Sequence, residues 1–233
     1  GRVGWHANAA PALVVGLDDS FAIHAEAAPW LRAREVYVEA GCRHELDCGD
    51  ARVLVLYLAP GKLDARQFRA RWALPSGELL SLPPQHAGRE QALALAAGQL
   101  PLDLLTTGID RWLGGPAPAA LCDDARSDSL ARQLLVEPES QAPRVTPALP
   151  ELSPSRQRHV FHEHTGISLR ALRRWQRMRA VGRRLAAGSN LTRAAHALDF
   201  TDSAHLSRDF RASFGLPPSR IFGRCTVTHD HCR

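Results

Sequence analysis

Apolar positions change their period along the chain. Between residues 10 and 60 they come in short runs: "ALVVGL" ends in "DDS", "FAIHAE" alternates, "EVYVEAG" runs to a glycine, and "ARVLVLYL" closes on "APG". Runs this short, rich in Val, Leu and Tyr, predict a small antiparallel sandwich or barrel. The period then lengthens. "REQALALAAGQL" and "PLDLLTTGIDRWLGG" predict helices, with Pro101 placed to start the second and Gly114 to end it, and "SLARQLLVE" predicts a third. The stretches "GGPAPAALCDDARSD" and "PESQAPRVTPALPE" flank that third segment, and repeated prolines there interrupt any regular element, so a domain boundary falls among them.

From Leu152 onward the signals are helical. Ser153 can cap "PSRQRHVFHEHTG", with Pro154 at the first helical position and Gly166 at the stop. Ser168 can cap a long helix in which Leu169, Leu172, Trp175, Met178, Val181 and Leu185 recur every three or four residues over a largely Arg surface. Asn190 can cap "LTRAAHALDF", followed at once by a helix capped by Asp202. On that last helix Leu206, Phe210 and Phe214 share one side, while Ala204, Ser207, Arg208 and Arg211 share the other. Two helices joined so tightly form a helix-turn-helix, whose second helix is the one that enters a major groove.

Charge sharpens this picture. From Pro150 to the end there are 15 Arg and 6 acidic residues, a net +9, against 14 basic and 18 acidic residues before it, a net −4. A basic C-terminal part on a mildly acidic N-terminal part fits a nucleic-acid reader joined to something else, or an Arg-rich solvated face. No run approaches the roughly 20 apolar residues of a membrane span, and no export signal opens the chain, so no membrane partner and a cytoplasmic location are expected. Five cysteines without evident pairing argue against a disulfide framework.

With these residues laid out, "LSPSRQRHVFHEHTGISLRALRRWQRMRAVGRRL" and "LTRAAHALDFTDSAHLSRDFRASFGLPPSRIFGR" resemble the DNA-binding domain of the AraC/XylS family of bacterial transcription regulators. Ser153, Phe161, Gly166, Arg179, Ala195, Phe200, Ser203, Arg208, Phe210, Gly215 and Pro218 fill the places that carry the likeness. The resemblance implies an α+β chain: a small antiparallel, cupin-like β-barrel over 1–82, a helical connector with a dimerising role over 83–125, an all-α domain with two helix-turn-helix units over 126–224, and a Cys/His-containing tail over 225–233. It implies double-stranded DNA and a small-molecule effector as partners, and brings in RNA polymerase and a second copy of the chain.

Carried over by position, the first reading helix presents Ser155, Arg158, His159 and His162, and the second Ser203, Ala204, Ser207 and Arg208. Arg158 and Arg208 suit bidentate contact with guanine. Arg174, Arg177, Arg183, Arg184, Arg193 and Arg211 are expected on phosphate, which positions without specifying. The chain departs from the family upstream of Leu152, where Pro147 and Pro150 disrupt the expected scaffold helix, at Gln157, which takes an apolar place, and at Asp199, which replaces a turn glycine. The first unit is therefore expected to bind more weakly than the second.

The N-terminal resemblance is to a shortened cupin in which His6, Asn8 and His44 take the ligand places, making them candidates for effector binding. Two imidazoles and an amide fall short of the set a catalytic cupin metal needs. "CRHELDC" and "CTVTHDHC" nonetheless bring Cys42, His44 and Cys48, and Cys225, His229, His231 and Cys232, a chemistry suited to Zn or Cu, though neither has paired C-x-x-C spacing. The alternatives are that Cys42 and Cys48 are small apolar residues beside a strand, and that the chain is a metal-binding cupin sensor or enzyme tethered to nucleic acid by its basic part. No G-x-S-x-G, Walker glycine loop or H-E-x-x-H occurs, so no residue is assigned as catalytic and the chain is read as a non-enzyme.

Overall fold

The computed structural model describes residues 1–26, 28–58, 79–82, 88–97, 153–165 and 167–222. Eight strands form first: β1 (Arg2–Ala7), β2 (Ala12–Gly16), β3 (Phe21–Ala25), β4 (Leu31–Ala33), β5 (Glu35–Val38), β6 (Arg43–Asp47), β7 (Val53–Tyr57) and β8 (Leu79–Ser81). Six helices follow: α1 (Gly88–Ala96), α2 (Pro154–Thr165), α3 (Leu169–Ala186), α4 (Leu191–Ala197), α5 (Ser203–Phe214) and α6 (Pro218–Phe222).

The strands make two four-stranded antiparallel sheets, ordered β1-β6-β3-β4 and β7-β2-β5-β8. Of the sandwich and barrel that the strand pattern allowed, the described strands form two open sheets face to face. Ala12, Val14, Val36 and Val38 of one sheet meet Phe21, Ile23, Ala25 and Leu46 of the other in a common core. The opposite face of the second sheet is covered as well. Leu13, Val15, Tyr37 and Leu80 pack beneath Ala92 and Leu93 of α1. This double cover explains why β2 is an unbroken apolar run, buried at every position.

Among the C-terminal helices, Met178 and Val181 of α3 pack with Ala194, Ala195 and Leu198 of the α4 region and with Leu206 and Phe210 of α5. Side chains seal the helix starts as the sequence anticipates: Ser168 Oγ accepts from Ala171 N, Asn190 Oδ1 from Arg193 N, and Asp202 Oδ1 from His205 N. Gly215 ends α5 in the left-handed conformation, φ 73°. Asp199 also takes positive φ, 57°, which is how this chain makes its turn without glycine.

The N-terminal part sits directly on the helices. Ala40 packs against Phe161, Ile167, Leu169 and Leu172 of the first unit, while the Tyr57 ring lies 5.4 Å from Trp175 and 5.3 Å from Phe214. The predicted helices over 101–115 and 129–137, the disrupted scaffold helix around Pro147 and Pro150, and the tail with Cys225, His229, His231 and Cys232 lie outside the described residues.

Candidate nucleic-acid interface

Helix α5 follows α4 after five residues, and its burial follows the apolar stripe. Leu206, Phe210 and Ser213 are buried, Phe214 half-buried, and Ala204, Arg208 and Arg211 exposed, with Ser203 and Ser207 at the margin. Asp202 begins the helix and holds its carboxyl below the usual carboxylate range because the His205 N–H donates to it. An acceptor is thus fixed at the positive end of the helix dipole, ordering the turn that presents Ser203 and Ala204.

Helix α2 repeats the arrangement with Val160 and Phe161 inward and Ser155, Arg158, His159 and His162 outward. Gln157 lies in the core position that its place implied, with 5% exposure. The first helix is therefore seated on a partly polar core.

The arginines divide into two kinds. Arg184, Arg193 and Arg211 are exposed around α3, α4 and α5, and Arg174 is half-exposed. Arg177 does not join them, contrary to its expected phosphate role. Its guanidinium pairs with Asp209 at 3.3 Å and lies over the Phe200 ring at 4.5 Å, so it ties the linker helix α3 to the second unit. A sequence count of charges could not separate it from its neighbours, because the distinction depends on Asp209 arriving from α5.

His6 and His44 face each other across β1 and β6, their rings 4.2 Å apart and both buried. Each Nδ1 donates to a backbone carbonyl, of Gly4 and Cys42 respectively. Burial, and then the neighbouring imidazole, lower His6 to about 4; burial also lowers His44, so both rings are neutral at pH 7. Asn8 is 2% exposed and its Oδ1 has no hydrogen-bond partner among the described residues. Of the three, His6 lies beside the second unit: Gly215 approaches Val3, Gly4 and His6 so closely that a Cβ there would come 2.7 Å from His6 Nδ1.

Cys42, His44 and Cys48 do not converge. They are spread along β6 and its flanks, where about 3.3 Å per residue separates the two cysteines by several side-chain widths. Cys42 belongs to the core between the sheets. Among the described residues no group of three or more His, Cys, Asp or Glu comes together to hold a metal, and no helix is long and apolar enough to cross a membrane.

Residues 151–224 match the model of a family described as a helix-turn-helix domain. The C-terminal region is thus a helix-turn-helix domain. The fold of the whole chain resembles ToxT from Vibrio cholerae O395, with 12% identity, a TM-score of 0.59 and coverage of 97% of this chain and 96% of that one. Wild-type ToxT from Vibrio cholerae strain SCE256 bound to an unsaturated fatty acid aligns with 11% identity, TM-score 0.56, and 97% and 91% coverage. ToxT from Vibrio cholerae O395 bound to (E)-4-(8-methylnaphthalen-1-yl)but-3-enoic acid aligns with 12% identity, TM-score 0.56, and 95% and 96% coverage. At these identities the likeness is one of fold. No curated protein matches the chain in sequence.

Proposed function

We propose that the chain is a sequence-specific DNA-binding transcription regulator whose N-terminal domain senses a small-molecule effector. The observation that carries this reading is the exposed polar face of α5, with Ser203, Ala204, Ser207, Arg208 and Arg211 held outward by Leu206 and Phe210 inside a matched helix-turn-helix domain. Helix α2 supplies a second such face through Ser155, Arg158, His159 and His162. Arg158 and Arg208 read guanine edges, and Arg184, Arg193 and Arg211 hold phosphate.

His6, Asn8 and His44 form the effector-binding group in this reading. Asn8 Oδ1 is a buried acceptor that a ligand donor would satisfy, and the two neutral imidazoles can take a proton against an anion. Apolar carboxylic acids are the first class to try, since two of the ToxT structures hold such acids. An effector bound here acts on the seat of Gly215, and so favours one placement of the second unit over another. The protein works in the cytoplasm as a homodimer and contacts RNA polymerase when it activates.

Selection from a random duplex pool, with and without long-chain fatty acids, tests the reading. Enrichment of two short elements about one helical turn apart supports it; recovery of random sequence under every condition overturns it.

A further inference from the structure

The two helical units have separate cores. Phe161, Ile167, Leu169 and Leu172 make that of the first, and Met178, Val181, Leu206 and Phe210 belong to that of the second. Helix α3 runs through both, and its 18 residues span about 27 Å. A single helix of that length is a compliant tie. Curvature of the ordinary kind, with a radius of about 60 to 100 Å, turns it through roughly 15 to 26° and carries one end about 4 to 6 Å sideways. Successive base pairs are about 3.4 Å apart and rotated by about 35°. The play in α3 alone is therefore comparable with the step from one spacing of two DNA elements to the next.

A second tie joins the units through the sheets. Ala12 is the register partner of both Val38 and Tyr57, so β5 and β7 deliver Ala40 and Tyr57 at one end of the same sheet. The Gly41 N–H donates to the Asn8 carbonyl at 2.7 Å, which fixes the chain leaving β1 at that end as well. Ala40 packs against the core of the first unit. Tyr57 lies 5.4 Å from Trp175, placed on α3 between Leu172 of one core and Met178 of the other, and 5.3 Å from Phe214 of α5. Val3, Gly4 and His6 seat Gly215 beside it. We propose that the N-terminal sandwich is a brace that holds the two reading units at one separation and angle, with Ala40 and Tyr57 as its positioning residues. The spacing of DNA elements that the protein selects is then set outside the helix-turn-helix domain as well as within it. Each tie is made by apolar packing, so changing one side chain of the N-terminal part cuts it and leaves every DNA-facing residue in place.

The brace rests on the proposed function, and the experiment separates their failures. Equilibrium binding of the full chain is measured on three kinds of duplex: both selected elements at the selected spacing, the same elements one base pair closer or further apart, and one element alone. Wild type should bind the altered spacings at least about tenfold more weakly than the selected one, because its units are held ready for a single geometry. Tyr57→Ala should weaken binding at the selected spacing, leave one element alone bound as in wild type, and shrink the penalty for altered spacing to about threefold or less. Tyr57 also packs on the core between the sheets, so Ala40→Glu, in the turn beyond β5, is the second variant. It sets a carboxylate against the first unit's core and should give the same pattern, with the far-UV circular dichroism of wild type. An equal loss on all three kinds of duplex, or an undiminished spacing penalty in both variants, would overturn the brace alone, as would a wild type that binds altered spacings equally well. A wild type that selects no two-element site overturns the proposed function and the brace together.

Discussion

Gly215, the last residue of the second reading unit's helix cap, lies against His6 of the first strand with no room for a side chain between them. Two demands meet at this glycine. Its φ of 73° disfavours residues with a Cβ, and the Cβ itself would press on Gly4 O and His6 Nδ1, each 2.7 Å away.

Gly215→Ala should therefore lower stability by about 2 kcal/mol or more, a left-handed residue alone costing about 1 to 2 kcal/mol. Gly215→Asn separates the two demands, because Asn tolerates the left-handed conformation but still carries a Cβ. Thermal unfolding should show both variants destabilised. A near-wild-type Asn variant would mean that the close approach to His6 is unimportant.

Arg177→Ala should behave as a packing and pairing defect. We expect a loss of about 1 to 3 kcal/mol from the broken pair with Asp209 and the contact with Phe200. The slope of DNA affinity against salt should not change beyond what lost folding explains, whereas Arg193→Ala should reduce that slope by about one. A reduced salt slope for Arg177→Ala in the folded protein would return it to the phosphate contacts.

Stability should fall on acidification. His6 titrates near 6.5 when unfolded and about 4 when folded, so the unfolded chain binds the proton more readily. The stability it contributes is complete above about pH 6.5 and is lost as pH falls towards 4, amounting to about 3 kcal/mol. His44 changes in the same direction. Denaturant unfolding between pH 7.5 and 4 should show this loss, and His6→Gln should remove much of it; an equal slope in that variant would contradict the assignment to His6.

Much of the DNA-facing half was legible because local chemistry and tertiary structure agree there. The stripe of Leu206, Phe210 and Phe214 and the caps Asp202, Ser168 and Asn190 all lie where the pattern puts them. Strands β2, β3, β5 and β7 were equally plain. Strand β6 was not, since Arg43 to Asp47 has one aliphatic residue and owes its conformation to pairing with β1 and β3 on either side. The seat of Gly215 on β1, the Arg177 pair with Asp209 and the Tyr57 contact with Trp175 join residues far apart in sequence, and no periodicity signals such meetings.

In the proposed function two helices, α2 and α5, read bases. Equilibrium competition between the selected duplex, single-base variants of it and random duplex should be measured for the wild type, Arg208→Ala and Arg158→Ala. We predict that each variant relaxes preference at one position of a different element by about 1 to 3 kcal/mol and leaves the other element as it was. Losses equal on every sequence for both variants would contradict base reading and reduce the two helices to phosphate contacts.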